Sequence, residues 1–350
     1  MKKSTLFFTL FISIIALSVG CQKDTAYTRE ALPPNLPETT FDYKQLNAAP
    51  GTISPIVLDE IDNEMATLGR VLFYDRHLSQ NNSTSCGSCH KQHLAFADGE
   101  RFSTGLHGKT TTRNSMSVVN AIFQNQFFWD NRANNLQKQV MMPIENHIEM
   151  GVSMLSTLPA KLEELSYYPT LFEDAFGTAE ITEDRISKAL AMFLKSMVST
   201  NSKFDQGRLT SHSNLNAKEM LGKELFEGKA LCRNCHSSNI FSGWGVANIG
   251  LDIEYEDQGF RFGNFKIPSL KNIALTAPYM HDGRFNTLEE VVDHYNEGIK
   301  NHPFLAWQLR SFNGAVRLGL TELEKNALVA FLETLTDESF LSDERYSDPF

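Results

Sequence analysis

The sequence is poor in cysteine, in net positive charge and in long apolar runs. Its 350 residues include 5 cysteines, and its 42 acidic residues outnumber the 32 basic ones, which gives a formal net charge of −10. This balance argues against a nucleic-acid-binding protein, which would carry a basic surface. No low-complexity tract occurs, and the 41% hydrophobic and 21% charged residues are typical of a folded chain long enough for two domains.

The apolar run at the N-terminus is too short for a resident membrane span. Lys2 and Lys3 precede it and Gly20-Cys21 follows it, which is the pattern of a signal peptide. A cysteine directly after a small residue resembles a bacterial lipobox. We therefore expect a lipoprotein-type signal peptide at 1–20 and a lipid anchor at Cys21, with plain secretion as the alternative. Both interpretations place the folded part in the periplasm.

The other four cysteines occur in two identical patterns. These are Cys86-Gly-Ser-Cys89-His90 and Cys232-Arg-Asn-Cys235-His236. In a c-type cytochrome, two thiols one helical turn apart attach to the haem vinyl groups, and the adjacent histidine ligates the iron. Roughly 0.002 such pentapeptides are expected by chance, so the two copies predict two covalently bound haem c groups. A redox cysteine pair or half of a zinc site would leave both histidines unexplained.

Helical patterns surround both motifs. Apolar residues recur at helical spacing before the first motif, at Ile61, Met65, Leu68 and Leu72. Asn216 and Glu219 form a capping pair before the second, and further helix starts are predicted at Thr182, Thr287 and Thr321. Strand-like alternation is sparse. We therefore predict a mostly α fold with two cytochrome c-like haem domains in tandem.

At this point the sequence resembles a known family, the bacterial di-haem cytochrome c peroxidases and their relatives of the MauG type. The resemblance runs from about Leu58 to Leu335. The matching segments are 68–75, 86–90, 113–115, 128–133, 139–150, 232–236, 265–272, 276–283 and 288–298. The resemblance implies an enzyme that reduces hydrogen peroxide to water with electrons from a small donor protein of the cytochrome c or cupredoxin type.

The resemblance also implies roles for residues near the first haem, which would be the peroxidatic one. Glu149 matches the family's distal acid–base carboxylate, Gln139 the amide beside it, and Pro143 the pocket proline. The alternative for Glu149 is a solvated surface carboxylate, the usual fate of glutamate. Glu145 and His147 lie nearby in the sequence and are rival proton carriers.

Between the two haems, the resemblance implies an electron relay and a calcium ion. Trp129 matches a family tryptophan that lies between the haems, with ordinary aromatic packing as the alternative. Asn114, Thr276 and Pro278 match the positions that hold calcium between the domains. Oxygen ligands suit calcium, but Thr276 and Pro278 would have to contribute backbone carbonyls.

The sixth ligand of each iron decides the subtype, and the sequence leaves both open. His107 is either a removable ligand of the first haem or a loop histidine. Tyr295 occupies the position at which the peroxidases place a methionine and MauG-type proteins a tyrosine. Met280 is the alternative ligand. His294 precedes Tyr295 on the same predicted helix and should point about 100° away from it.

The predicted organisation has four parts. They are the signal peptide 1–20, a proline-rich tether 21–55, an N-terminal peroxidatic haem domain 56–208 and a C-terminal electron-transfer haem domain 209–345. Two alternatives to the peroxidase remain. One is a MauG-like oxidase that uses peroxide to oxidise a partner protein, and the other is a pure electron-transfer cytochrome. Analogy with related proteins suggests a homodimer.

Overall fold

The computed structural model describes residues 32–46, 48–49 and 58–350, and α-helices dominate these ranges. The helices are α1 (Asn63–Tyr74), α2 (Cys86–Cys89), α3 (Leu136–Glu145), α4 (Leu158–Glu163), α5 (Tyr168–Phe176), α6 (Glu183–Ser196), α7 (Lys203–Gln206), α8 (Ala217–Glu227), α9 (Leu288–Asp293), α10 (Glu322–Glu333) and α11 (Glu338–Leu341). The predicted mostly α class is confirmed.

Shorter elements connect these helices. The 3-10 turns are Arg76–Leu78, Gln92–Leu94, Leu106–Gly108, Ala121–Phe123, Leu155–Thr157, Arg208–Thr210, Cys232–Asn234, Ile273–Leu275, Trp307–Leu309 and Glu344–Tyr346, and a π turn at His294–Gly298 extends α9. The strands are β1 (Val246–Ala247), β2 (Phe265–Lys266), β3 (Arg310–Ser311) and β4 (Gly314–Ala315). They form two antiparallel pairs, β1 with β2 and β3 with β4.

The predicted helix starts are confirmed. The side chains of Thr182, Asn216, Thr287 and Thr321 each accept a hydrogen bond from the backbone N–H three residues later. The last three also form capping boxes with the glutamate at that position. Helix α1 begins later than the apolar pattern suggests, because Asp62 caps it and Ile61 is buried just outside it.

Two helix pairs form the centres of two hydrophobic cores. Helix α1 packs against α6 in the first core, and α8 packs against α10 in the second. Gly69 lies where α1 meets the backbone of Ala189, and Gly222 lies where α8 meets the backbone of Ala327. A side chain on either glycine would overlap the facing carbonyl, so close helix approach explains both glycines. The two halves therefore share the same arrangement, in which a glycine allows two helices to pack closely.

Both chain ends of the described part join the first core. Tyr43 is fully buried there, against Phe193 and Tyr346, and Phe340 belongs to the same core. Tyr43 lies inside the segment predicted as a tether, and Phe340 lies inside the predicted C-terminal domain, so both of these segments pack on the first core.

The predicted signal peptide, Cys21 and much of the tether lie outside the described residues. Among the helices of the described ranges, none combines the length and the apolar character needed to cross a bilayer.

Candidate haem sites and active site

The first motif folds as a single helical turn. Ser85 precedes α2, and His90 follows it directly. The imidazole Nδ1 of His90 lies 2.8 Å from the carbonyl oxygen of Phe96, which accepts its proton and leaves Nε2 available to iron. Burial lowers the pKa of His90, so the ring is neutral, as an iron ligand must be.

The second motif repeats this arrangement on a 3-10 turn. His236 Nδ1 lies 2.8 Å from the carbonyl oxygen of Phe241, and burial lowers the pKa of His236. Phe96 and Phe241 both adopt left-handed backbone, with φ of 59° and 54°. In each half the chain thus turns back so that a carbonyl oxygen orients the histidine. This similarity extends the internal repeat from the helices to the ligands.

Both motifs line one cavity of about 990 Å³. Its walls near the first motif include Phe73 and Leu194, and near the second Leu328 and Leu332. Paired thiols, a histidine with Nε2 available and an apolar wall are the features that a covalently bound porphyrin requires. The residues present therefore fit a haem at each motif.

The alternatives to haem find no support in the described residues. Burial raises the pKa of Cys86 and of Cys232 to about 12, which is the opposite of the lowered pKa of a redox-active cysteine. None of the motif cysteines is in a disulfide. The described ranges contain no group of three or more His, Cys, Asp or Glu side chains that could hold a metal ion directly.

A carboxyl and an amide face the cavity beside the first motif. Glu149 follows α3 in a turn closed by Asn146, whose side-chain amide donates to Glu149 Oε1 at 2.9 Å. Burial raises the pKa of Glu149, and the positive charge of Arg132 opposes this only in part. Gln139 and Pro143 lie one turn apart on α3 and line the same cavity. Gln139 Oε1 is buried with no hydrogen-bond partner among the described residues.

The rival residues near the first motif lie elsewhere. Glu145 and His147 are exposed and do not line the cavity. His107 is also exposed, with left-handed backbone at φ 56° in the turn Leu106–Gly108, and it does not line the cavity.

Tyr295 and Met280 both line the cavity beside the second motif. Burial raises the pKa of Tyr295 strongly. Met280 packs against the small core formed by Leu251, Tyr255 and Phe265. His294 is buried and turned away, with Nε2 3.0 Å from the carbonyl oxygen of Ile249. The structure thus places Tyr295 close to the cysteines of the second motif, leaves Met280 on the shared cavity wall with Trp129, and turns His294 away.

Comparison with known proteins identifies the family. The sequence model for di-haem cytochrome c peroxidase matches residues 63–212. The chain is 35% identical over 285 residues to the methylamine utilization protein MauG of Methylorubrum extorquens, covering 79% of each chain. It is 31% identical over 343 residues to the cytochrome c551 peroxidase of Nitrosomonas europaea, covering 94% of this chain and 92% of that one. The chain belongs to the di-haem cytochrome c peroxidase family.

Solved structures agree with this assignment. A MauG-like protein associated with microbial copper homeostasis superposes with a TM-score of 0.75 at 32% identity, covering 92% of this chain and 97% of that chain. The diheme peroxidase BthA of Burkholderia thailandensis shares the fold, with a TM-score of 0.69 at 22% identity. Membership of this enzyme family implies two c-type haems, and the two motifs are the sites that would hold them.

Trp129 lies where the two halves of this di-haem peroxidase meet. Its indole Nε1 donates to the carbonyl oxygen of Asn114 at 2.9 Å, and its own carbonyl accepts from the backbone N–H of Lys266 at 2.7 Å. The ring packs against the same small core as Met280 and lines the haem cavity. One tryptophan is thus fixed by residues from both halves.

The three residues matched to calcium ligands lie close to the same boundary. Asn114 is buried, and its side-chain amide lies 3.0 Å from the carbonyl oxygen of Glu100. Its backbone N–H donates to the carbonyl oxygen of His281 at 2.7 Å. Thr276 and Pro278 line the cavity with Asn114. The Thr276 hydroxyl donates to the carbonyl oxygen of Ile273 in its own 3-10 turn, and Pro278 has only its backbone carbonyl to offer.

Three further cavity residues received no role from the sequence. Arg113 forms a two-pronged ion pair with Asp257 at 2.6 and 2.8 Å. His281 is buried and stacks on Phe265 with ring centres 3.6 Å apart. Lys266 is buried in β2. All three occur in segments that match the family, and this match was the one feature of the sequence that could have pointed to them. Their burial and pairing depend on contacts with residues far away in the sequence.

Proposed function

We propose that this protein reduces hydrogen peroxide to water in the periplasm, with electrons from a small cytochrome c or cupredoxin-type donor. The observation that carries the proposal is the pair Glu149 and Gln139 beside the first motif. A pure electron carrier has no use for a half-buried carboxyl and an unpaired amide oxygen on residues that line the haem cavity. A peroxidase needs both a proton carrier and a polar group to orient the oxidant.

The proposed reaction joins one peroxide, two electrons and two protons to give two waters. The first haem, when bound, supplies the iron position at which peroxide binds and the capacity to hold oxidising equivalents. Glu149 takes the proton from the near oxygen of peroxide and returns it to the far oxygen as the O–O bond breaks. Gln139 orients the oxidant beside it. Trp129 shortens the distance that electrons cross between the two haem sites.

The Glu149→Gln variant tests the acid–base assignment. We expect peroxide turnover with a reduced small cytochrome to fall by about 10²- to 10⁴-fold, because proton transfer is lost. The wild-type rate should decrease as the pH falls through the raised pKa of Glu149, and this limb should disappear in the variant. The exposed Glu145→Gln variant distinguishes the rival. If Glu149→Gln turns over at the wild-type rate, or Glu145→Gln alone is impaired, the assignment is wrong.

A second candidate function is a MauG-like oxidase that uses peroxide to oxidise a partner protein. Tyr295 at the second haem cavity favours it, because tyrosinate ligation stabilises ferric iron and makes the second haem a poor acceptor from common cytochromes. We expect the near-infrared spectrum to lack the Met–iron band in the wild type and to gain it in Tyr295→Met. A Met–iron band in the wild type would instead assign Met280 as the ligand.

A pure electron-transfer cytochrome is the third candidate, and ligand binding separates it from the other two. We propose that the first iron has an open sixth position and that His107 is a loop residue. Cyanide should therefore bind one haem of the oxidised protein. Pre-reduction should not enhance binding in either the wild type or His107→Gly. Irons that resist cyanide in every redox state would favour the electron carrier.

The remaining parts of the proposal concern location and assembly. We propose a signal peptide at 1–20, a lipid anchor at Cys21, haem domains divided near residue 208, and a homodimer. Calcium would be held by Asn114 and by backbone oxygens of Thr276 and Pro278. Metabolic labelling with palmitate should be lost in Cys21→Ser. Gel filtration should show the mass of a dimer. Removal of calcium should lower the temperature of thermal unfolding. A normal transition after removal would contradict the calcium site.

A further inference from the structure

Lys266 is a buried lysine that faces the haem cavity. It lies in β2 opposite Val246 of β1, and only 7% of its surface is exposed. Its backbone is fixed by the hydrogen bond to the Trp129 carbonyl. A side chain at Gly243 would meet both the next residue, Ile267, and the carbonyl oxygen of Cys235, so the strand lies beside the second haem motif. Lys266 therefore lies beside the second haem motif, and it lines the cavity that both motifs share.

The ammonium group of Lys266 has no anion beside it in the described part of the chain. Its Nζ contacts Gln124 Oε1, which is a neutral acceptor. Burial alone lowers the pKa of Lys266, to about 8, with no carboxylate opposing it. The ammonium therefore lacks the partner that a buried cation normally requires.

The other basic side chains lining the cavity are paired with carboxylates. Arg113 pairs with Asp130 and Asp257, Arg132 with Asp130, and Lys271 with Asp205. Lys271 is the most informative comparison, because its side chain is also buried and it lies five residues after Lys266. Among the described lysines and arginines that line the cavity, Lys266 thus stands apart in facing the haem space without a protein counter-charge.

We propose that Lys266 is the counter-ion of a haem propionate at the boundary of the two halves. Haem carries propionate carboxylates, and an ion pair with Lys266 would neutralise one of them. Gln124 would hold the ammonium from the other side. Neutralising a propionate removes negative charge near the iron, so Lys266 would raise the reduction potential of that haem. The proposal rests on the two bound haems and not on peroxide turnover.

The test compares Lys266→Gln with Lys218→Gln, which removes the same charge from an exposed position on α8. Both are matured as full-length di-haem proteins. Haem content and circular dichroism establish folding, and spectroelectrochemical titration measures both potentials without peroxide. We expect Lys266→Gln to lower the potential of one haem, and Lys218→Gln to leave both at wild-type values. Unchanged potentials in a fully loaded Lys266→Gln protein would overturn the proposal.

Lys266→Arg provides the second variant, because it keeps the charge. Its potentials should stay close to those of the wild type, and redox-induced infrared difference spectra should show a propionate band shifted by the new donor. If Lys266→Gln does not fold, this infrared shift decides the question, since an unchanged propionate band would reject the ion pair. Equal loss of potential in the Arg and Gln variants would also reject it, because a packing role would not depend on charge.

Discussion

The pKa values of two carboxyl groups in the first half are shifted in opposite directions by their surroundings. Glu149 is partly buried with one amide donor, so its pKa rises, which suits a group that must exchange a proton. Burial would also raise the pKa of Asp75, but hydrogen bonds from His77 and Tyr168 outweigh it, and the pKa falls. Tyr167 donates to the same Asp75 oxygen as Tyr168, at 2.9 and 2.7 Å. The number of hydrogen bonds that each carboxylate accepts therefore distinguishes Glu149, which can exchange a proton, from Asp75, which has a structural role.

Asp75→Asn should destabilise the protein by about 1–3 kcal/mol at pH 7, because an amide cannot accept all of these hydrogen bonds. The native pKa of Asp75 lies below its unfolded value of 3.8, so its stabilisation is present above that pH and is lost as the pH falls through the native pKa. Urea unfolding at pH 7 and at pH 3 should show the difference shrinking in acid. The exposed Asp174→Asn serves as control, and a difference that persists unchanged in acid would contradict this account.

At the level of whole elements, the packing of α1 on α6 and of α8 on α10 follows one plan. In both pairs a glycine of the first helix meets a backbone carbonyl of the second, and a phenylalanine, Phe193 or Phe331, packs one turn further along. In each half, the first helix of the pair is followed in the sequence by the haem motif. The histidine of that motif is oriented by the carbonyl oxygen of a phenylalanine. Close helix approach thus positions the wall of each haem site.

Gly69→Ala and Gly222→Ala distinguish packing from helix propensity. Propensity alone predicts that alanine stabilises a helix interior by about 1 kcal/mol. Overlap with the Ala189 or Ala327 carbonyl predicts the opposite, a loss of about 1–3 kcal/mol. Thermal unfolding of each di-haem variant measures the sign. A raised transition temperature would show that the helices separate easily and that the close approach is not required.

Across the whole molecule, local chemistry was predictable from the sequence and long-range packing was not. The haem motifs and the caps at Thr182, Asn216, Thr287 and Thr321 depend on neighbours within a few residues, and a single sequence contains that information. The burial of Lys266 and the pairing of Arg113 with Asp257 depend on segments far apart. Nothing local signals them. The placement of Glu149 beside the first motif was expected only through the family resemblance, and its role stays a prediction.

The return of the C-terminal segment to the first core is the clearest long-range feature. Helix α10 belongs to the second core, yet Phe340 and Tyr346, which follow it, are buried in the first. Tyr346 donates its hydroxyl proton to the carbonyl oxygen of Ser196 at 2.7 Å, and Arg70 binds the backbone of Ser347. The halves are therefore linked by crossed packing as well as by the contacts around Trp129.

This crossing predicts that truncation of two aromatic residues, both near the C-terminus, affects different haems. Tyr346→Ala and Phe331→Ala each remove a side chain with 1% exposure, and each should cost about 3–5 kcal/mol. Because Tyr346 supports the first core, its loss should alter the electron paramagnetic resonance signal of the first haem and leave the second unchanged. Phe331→Ala should do the reverse. If both variants disturbed only the second haem, the C-terminal segment would belong to that half, as its position in the sequence suggests.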